Sequence, residues 1–210
     1  MLKINEIFPS IQGEGQFQGM PMLFIRLSGC TRACSFCDTK YHKEIKQILT
    51  PTQLVKIIKQ SKIKNICFTG GEPLIQLDEI IKVIQTLLSQ STKYNFHLET
   101  NGDLIQNKEK LEKLEMYFDY IAVSPKEPKT AVRIAKLAKG YQDVEIKVVS
   151  DLKTEGVNML KYATMIMPLT TYNKKKDLKI MQDVWSYCVI KNKRISLRLH
   201  YMVHGKKKMI

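Results

Sequence analysis

Three cysteines, Cys30, Cys34 and Cys37, stand in the run "CTRACSFC" (30–37) of a chain that has only five cysteines in 210 residues. Thiolates bind soft metals. A structural zinc site asks for four closed ligands, often as two CxxC-like pairs. Here the spacing is CxxxCxxC, and His42 is the one nearby side chain able to complete a zinc set. Three thiolates also suit a 4Fe–4S cluster in which one iron lacks a protein ligand. An iron left open in that way is a coordination site for a substrate or cofactor. Cys67 and Cys188 lie far from this run in apolar surroundings and read as core residues.

Other stretches carry groups suited to chemistry, and each has a plainer reading beside it. "TGGEP" (69–73) offers glycines for close backbone approach and Glu72 as an acceptor; alone it is a turn before a helix. "IQGEG" (11–15) alone is a loop. Arg26 interrupts an apolar run, and burying it is costly without an anionic partner. Thr39 alone is a cap, Asn101 a turn residue before Gly102, His97 a satisfied core or surface histidine, and Lys126 a solvated lysine after a proline.

The elements that must position these groups alternate between two periods. "MLFIRLS" (22–28), "NICFTGG" (65–71), "YNFHLETNG" (94–102), "YIAVSPK" (120–126), "VEIKVVS" (144–150), "YATMIMP" (162–168) and "RISLRLH" (194–200) read as strands. Between them, "TPTQLVKIIKQ" (50–60) reads as a helix with Thr50 as cap, Pro51 in the first turn and Gln53 completing a capping box. "LDEIIKVIQTLLSQ" (77–90) sets Leu77, Ile80, Ile81, Ile84, Leu87 and Leu88 on one stripe. "KLEKLEMYF" (110–118), "TAVRIAKLAKG" (130–140) and "KKKDLKIMQDVWSYCVIK" (174–191) are further helices. This β-α-β-α order with doubly apolar strands predicts an α/β fold, a parallel sheet covered by helices. Chemistry in such folds gathers beyond the carboxyl ends of the strands. "SGCTRAC", "TGGEP", "ETNG", "SPK" and "MP" all fall there.

Composition bounds the rest. No internal repeat or low-complexity linker divides the chain, so one domain over 1–210 is expected. A chain of this length buries roughly 70% of its unfolded surface and needs no disulfide staples. The N-terminus shows no signal peptide, and no run approaches a membrane span; the expectation is a cytoplasmic protein with free thiols, and no membrane partner. The net charge of +14 asks for a partner, nucleic acid or an acidic small molecule, beside the plainer reading of a lysine-rich composition with solvated faces. Only five of the 34 basic residues are arginines, and the aromatics do not interleave with them, which argues against nucleic acid as the main partner.

The CxxxCxxC run, with Phe36 directly before its last cysteine and "TGGEP" behind it, resembles the signature of the radical S-adenosylmethionine superfamily. The segment "EIFPSIQGEGQFQGMPMLFIRLSGCTRACSFCDTKY" (6–41) resembles the 7-carboxy-7-deazaguanine synthase family. The likeness continues through "FTGGEPLIQ" (68–76), "HLETNG" (97–102) and "VSPK" (123–126), and more weakly "EIKVVSD" (145–151) and "RLH" (198–200). It implies a shortened, partial (β/α)6-type barrel with the active site at the C-terminal strand ends. It implies a 4Fe–4S cluster on Cys30, Cys34 and Cys37, and S-adenosylmethionine cleaved to a 5′-deoxyadenosyl radical that takes hydrogen from 6-carboxy-5,6,7,8-tetrahydropterin. Ring contraction with loss of ammonia follows, a lyase reaction on the route to queuosine and related 7-deazapurines.

The resemblance also assigns residues. Gln12, Gly13, Glu14, Arg26, Thr69, His200 and Ile210 match substrate contacts, with Arg26 on the substrate carboxylate. Phe36, Asp38, Gly71, Glu72, Ser124, Pro125, Lys126, Met167 and Pro168 match the S-adenosylmethionine site; Met167 stands where the family often carries glutamine. Thr39 matches a Mg²⁺ ligand. A homodimer and a flavodoxin or ferredoxin as electron donor are further implications. Two other readings share some of these features. A glycyl-radical-enzyme activating protein shares the cysteine spacing and glycine loop but does not need "QGEG", Arg26 and Thr39 together. A basic zinc-binding RNA module would use the cysteines with His42.

Overall fold

A computed structural model describes residues 1–34, 37, 41, 43–90 and 92–205. Six central strands are parallel and nearly continuous in burial: β2 (Pro21–Leu27), β4 (Asn65–Gly70), β5 (Asn95–Thr100), β6 (Tyr120–Val123), β7 (Val144–Ser150) and β8 (Met165–Pro168). Strands buried on both faces must be apolar on both, which is why they read as runs and not as alternations. At one end β1 (Leu2–Ile11) pairs antiparallel with β2, and the short β3 (Gln47–Leu49) pairs antiparallel with β1. At the other end β9 (Arg194–Ile195) pairs parallel with β8. The sheet order is β3-β1-β2-β4-β5-β6-β7-β8-β9.

One face is covered by helices. α1 (Pro51–Gln60) starts on the expected capping box, Thr50 and Gln53 each satisfying the other's backbone N–H. α2 (Leu77–Leu88) buries Leu77, Ile80, Ile81, Val83, Ile84 and Leu87, whereas Leu88, expected on the stripe, is exposed. α3 (Lys108–Glu115), α4 (Pro128–Leu137) and α5 (Lys174–Lys191) follow; α5 occupies the predicted residues, and a short α6 (Leu199–His204) ends the described chain. The main core lies between helices and sheet, with Ile25, Ile66, Phe68, Leu98 and Ile121 fully buried. Cys188 joins that core and Cys67 is fully buried in a smaller one, as expected.

The opposite face curls into a partial barrel. Its interior near β1 is filled by Phe8, Met22, Phe24 and Cys67, with the rings of Phe8 and Phe24 stacked 5.4 Å apart. Lower down, Phe17 meets His97 and Tyr120 edge-on at 4.6 and 4.9 Å. The Tyr120 hydroxyl and Arg194 both bind the buried Glu145 carboxylate. This layer closes the barrel floor. His97 is buried, but it is not the satisfied histidine expected: its Nδ1 has no partner among the described residues.

The structure departs from the sequence reading at β1, β3, β9 and α6, and β8 starts at Met165 instead of at 162. β1 was not expected; it carries Pro9, which a sheet tolerates only where its missing N–H is not needed. The β3 partner reaches only Leu2–Ile4, so Pro9 lies on the uncovered edge. "RISLRLH" was expected to be one strand, but only Arg194 and Ile195 pair with β8. At Ser196, which is buried and whose Oγ accepts from the Gly15 N–H at 2.8 Å, the chain leaves the sheet and turns into α6.

Candidate active site

Above the floor, at the C-terminal strand ends, lies an open cavity of roughly 730 Å³. Its walls bring together polar groups from nearly every strand. Gln12 and Thr69 both donate to one carboxylate, Gln12 Nε2 to Glu99 Oε1 at 3.1 Å and Thr69 Oγ1 to Glu99 Oε2 at 2.9 Å. Glu14 is gripped from two sides, by Lys147 Nζ at 2.5 Å and Arg198 Nε at 3.1 Å. Burial alone pushes the Glu14 carboxyl up, but Lys147, Arg198 and His200 together hold it well below the ordinary range. Burial likewise lowers Lys147, yet Glu14 and Glu99 more than offset it and raise its pKa. Glu14 is thus a fixed anion and Lys147 a fixed cation.

Arg26 lines the same cavity from the end of β2. Its Nε donates to Glu6 Oε2 at 3.0 Å, so the anionic partner that its burial demands comes in part from the protein. Gly13 is a close-approach position: an added Cβ would lie 2.1 Å from Nδ1 of His200. The Leu199 N–H donates to the Gly13 carbonyl at 2.9 Å, which sets His200 into the wall. Burial pushes the His200 imidazole below its ordinary pKa.

The cysteine loop leaves β2 at the rim. Cys30, Cys34 and Cys37 are free, partly buried thiols that all face the cavity. The loop's first residues are tied to the segments that follow β5 and β6. Arg32 donates to both oxygens of Asp103, at 2.5 and 2.7 Å, and pairs with Glu127 at 2.8 Å. Asn101 Nδ2 donates to Thr31 Oγ1 at 2.9 Å and stands 4.0 Å from the Cys30 sulfur, so this residue does more than form its turn.

Below the loop, the Gly71 N–H donates to the Leu27 carbonyl at 3.1 Å, and an added Cβ would lie 1.7 Å from the Gly29 oxygen. The glycine pair therefore lets β4 pack directly under the cysteine loop. Three soft thiolates around a roomy cavity fit a 4Fe–4S cluster. Among the described residues no three cysteine, histidine, aspartate or glutamate side chains gather on one metal ion. A cluster does not ask for that, because each thiolate takes a separate iron.

Most of the residues singled out in the sequence meet here: Gln12, Gly13, Glu14, Arg26, the three cysteines, Thr69, Gly71, Ser124, Lys126, Met167, Pro168 and His200 all line the cavity. Lys126 donates to Ser124 Oγ at 3.1 Å, and burial, with the charge of Lys147, lowers its pKa. Pro125 is buried and is not among the lining residues. Glu72 is also outside the lining. It is fully buried, and its carboxylate accepts from the Leu74 N–H, the Thr100 hydroxyl and the Asn101 N–H at 2.7–3.0 Å. There it braces the β4 and β5 loops against each other. Phe36, Asp38, Thr39, Ile210 and the zinc candidate His42 lie outside the described residues. Sequence reading did not single out Glu99, Lys147 or Arg198, although each sits in a segment it marked: "HLETNG", "EIKVVSD" and "RLH".

Comparison with known proteins bears on this geometry. Residues 24–183 match the family model of the Radical SAM superfamily. The 7-carboxy-7-deazaguanine synthase of Methanothermobacter thermautotrophicus is 33% identical over 181 residues, 80% of this chain and 70% of that protein. The namesake from Thermoplasma acidophilum is 42% identical over 101 residues, 48% of this chain and 47% of that protein. In this and two further such relatives the match spans only 47%, 42% and 47% of their lengths. In fold, the crystal structure of QueE from Escherichia coli superposes with a TM-score of 0.65 over 95% of this chain and 94% of that one, at 22% identity. A structure of anSMEcpe with bound AdoMet gives 0.58, over 86% and 65%, at 21% identity. The class is the radical SAM superfamily, and within it the chain belongs to the 7-carboxy-7-deazaguanine synthase family.

Proposed function

We propose that the chain is a 7-carboxy-7-deazaguanine synthase, contracting the ring of 6-carboxy-5,6,7,8-tetrahydropterin with loss of ammonia. One observation carries this reading: a single cavity holds three cysteines, an arginine for a carboxylate, and an acceptor cluster of Gln12, Thr69 and Glu99. Cys30, Cys34 and Cys37 hold the 4Fe–4S cluster. Gly71, Ser124, Lys126, Met167 and Pro168 face S-adenosylmethionine, and the family likeness assigns Phe36 and Asp38 to the same cofactor. When bound, the pair supplies one-electron reduction and hydrogen-atom abstraction.

The protein's own residues bind, orient and exclude water. Arg26 offers a guanidinium to the substrate carboxylate. Glu99, already fixed by two donors, faces the amino-rich edge of the pterin ring with Gln12 and Thr69. The Glu14–Lys147–Arg198 set is locked and keeps those loops in register. Phe8, Phe24 and Met167 supply apolar wall. Thr39 is assigned to Mg²⁺, and the electron donor is assigned to an acidic flavodoxin or ferredoxin.

The test is anaerobic reconstitution with iron and sulfide, then addition of S-adenosylmethionine, dithionite and the carboxypterin. The expected result is brown protein and a product lighter by the mass of ammonia. Colourless protein that binds zinc, or intact pterin alongside cleaved S-adenosylmethionine, would overturn the reading.

A further inference from the structure

The strand pair β1–β2 contains an irregularity that places one further residue on the site. Its register runs Ile4 opposite Leu27 and then Glu6 opposite Arg26. Two steps on β1 match one on β2, so Asn5 is the extra residue of a β-bulge. Regular pairing would set Asn5 against Arg26 and turn Glu6 toward the helix-covered core. The bulge instead brings Glu6 to the cavity side, beside Arg26. Glu6 is 3% exposed. Its carboxylate accepts from Arg26 Nε at 3.0 Å, the Tyr41 hydroxyl at 3.4 Å and Lys46 Nζ at 3.4 Å. The bulged Asn5 is used as well: its Nδ2 donates to the Tyr41 and Glu44 carbonyls at 3.0 and 2.8 Å.

We propose that Glu6 is a positioning residue for the substrate carboxylate, acting through Arg26. An arginine side chain has several rotatable bonds, and ordering it on binding costs affinity. Glu6 prepays that ordering by holding Nε. Lys46 also reaches this carboxylate, at 3.4 Å, so Glu6 does not neutralise Arg26 alone and the guanidinium keeps charge for an anion. The role rests on the function proposed above.

The test compares two probes under argon, 6-carboxytetrahydropterin and a tetrahydropterin without the carboxylate. Affinity is read by fluorescence titration of reconstituted full-length protein, wild type and Glu6→Gln. Wild type is expected to prefer the carboxylated probe, and Glu6→Gln to narrow that preference roughly tenfold, the scale of one charge-assisted contact. Affinity for the other probe should stay within about twofold, and KM for the carboxypterin should rise with kcat little changed. Glu6→Asp, which keeps the charge but withdraws it by one methylene, should narrow the preference too, and it decides the matter if Glu6→Gln does not fold. A wild type without preference sinks the substrate reading and this role together. A wild type with preference that folded Glu6→Gln retains sinks this role alone, as does equal loss of both probes or failure of both variants to fold.

Discussion

Glu14 illustrates how single residues share the load in this site, because it is an anion that two cations keep from titrating. Its folded-state pKa is depressed, so it stabilises the fold fully above the ordinary carboxylate range and loses that contribution as pH falls further. Acid unfolding should therefore show wild type losing stability more steeply than Glu14→Gln below about pH 4.3. Removing the partner is the harsher change. Lys147→Met should cost about 3 kcal/mol in urea unfolding, and Glu14→Gln in the same chain should recover part of it. Gly71 is the other sensitive point: Gly71→Ala puts a methyl into the Gly29 carbonyl, and should reduce both Tm and the iron retained after reconstitution. The cysteines were legible because their spacing is local. Glu14 and Lys147 are 133 positions apart, so their pairing is decided only when the sheet curls.

At the scale of elements, the described part of the cysteine loop is tied to neighbouring segments. Arg32 ties it to Asp103, between β5 and α3, and to Glu127 at the start of α4. Arg32→Ala should speed iron loss to a chelator several-fold in an absorbance time course. Its effect on global stability should stay within about 1–2 kcal/mol, because the pair is partly exposed. The parallel strands and long helices were readable from periodicity, and α1 from its capping residues. β1 was not, because a charged residue, a bulge and Pro9 break its alternation, and each is tolerated for a reason seen only in the sheet. The strand expected over 194–200 ends at Ser196, whose N–H still donates to the Ile166 carbonyl while its Oγ accepts from the Gly15 N–H, a long-range contact the local alternation does not reveal.

Across the whole molecule, charge and topology set how the site meets its surroundings. No helix among the described residues is long and apolar enough to cross a membrane. The net charge of +14 favours encounter with acidic molecules, and the proposed reductant is one. Turnover driven by an acidic flavodoxin should fall as NaCl rises from about 0.05 to 0.5 M, whereas dithionite-driven turnover should not. The contact between Gly13 and the Ser196–His200 segment has a further effect, this one on timing. These residues come from opposite ends of the described chain and meet only where the curled sheet brings them together. A polypeptide still being synthesised already displays its three thiols but lacks the wall that His200 completes. Enclosure of the cavity therefore waits for β9 and α6 to dock.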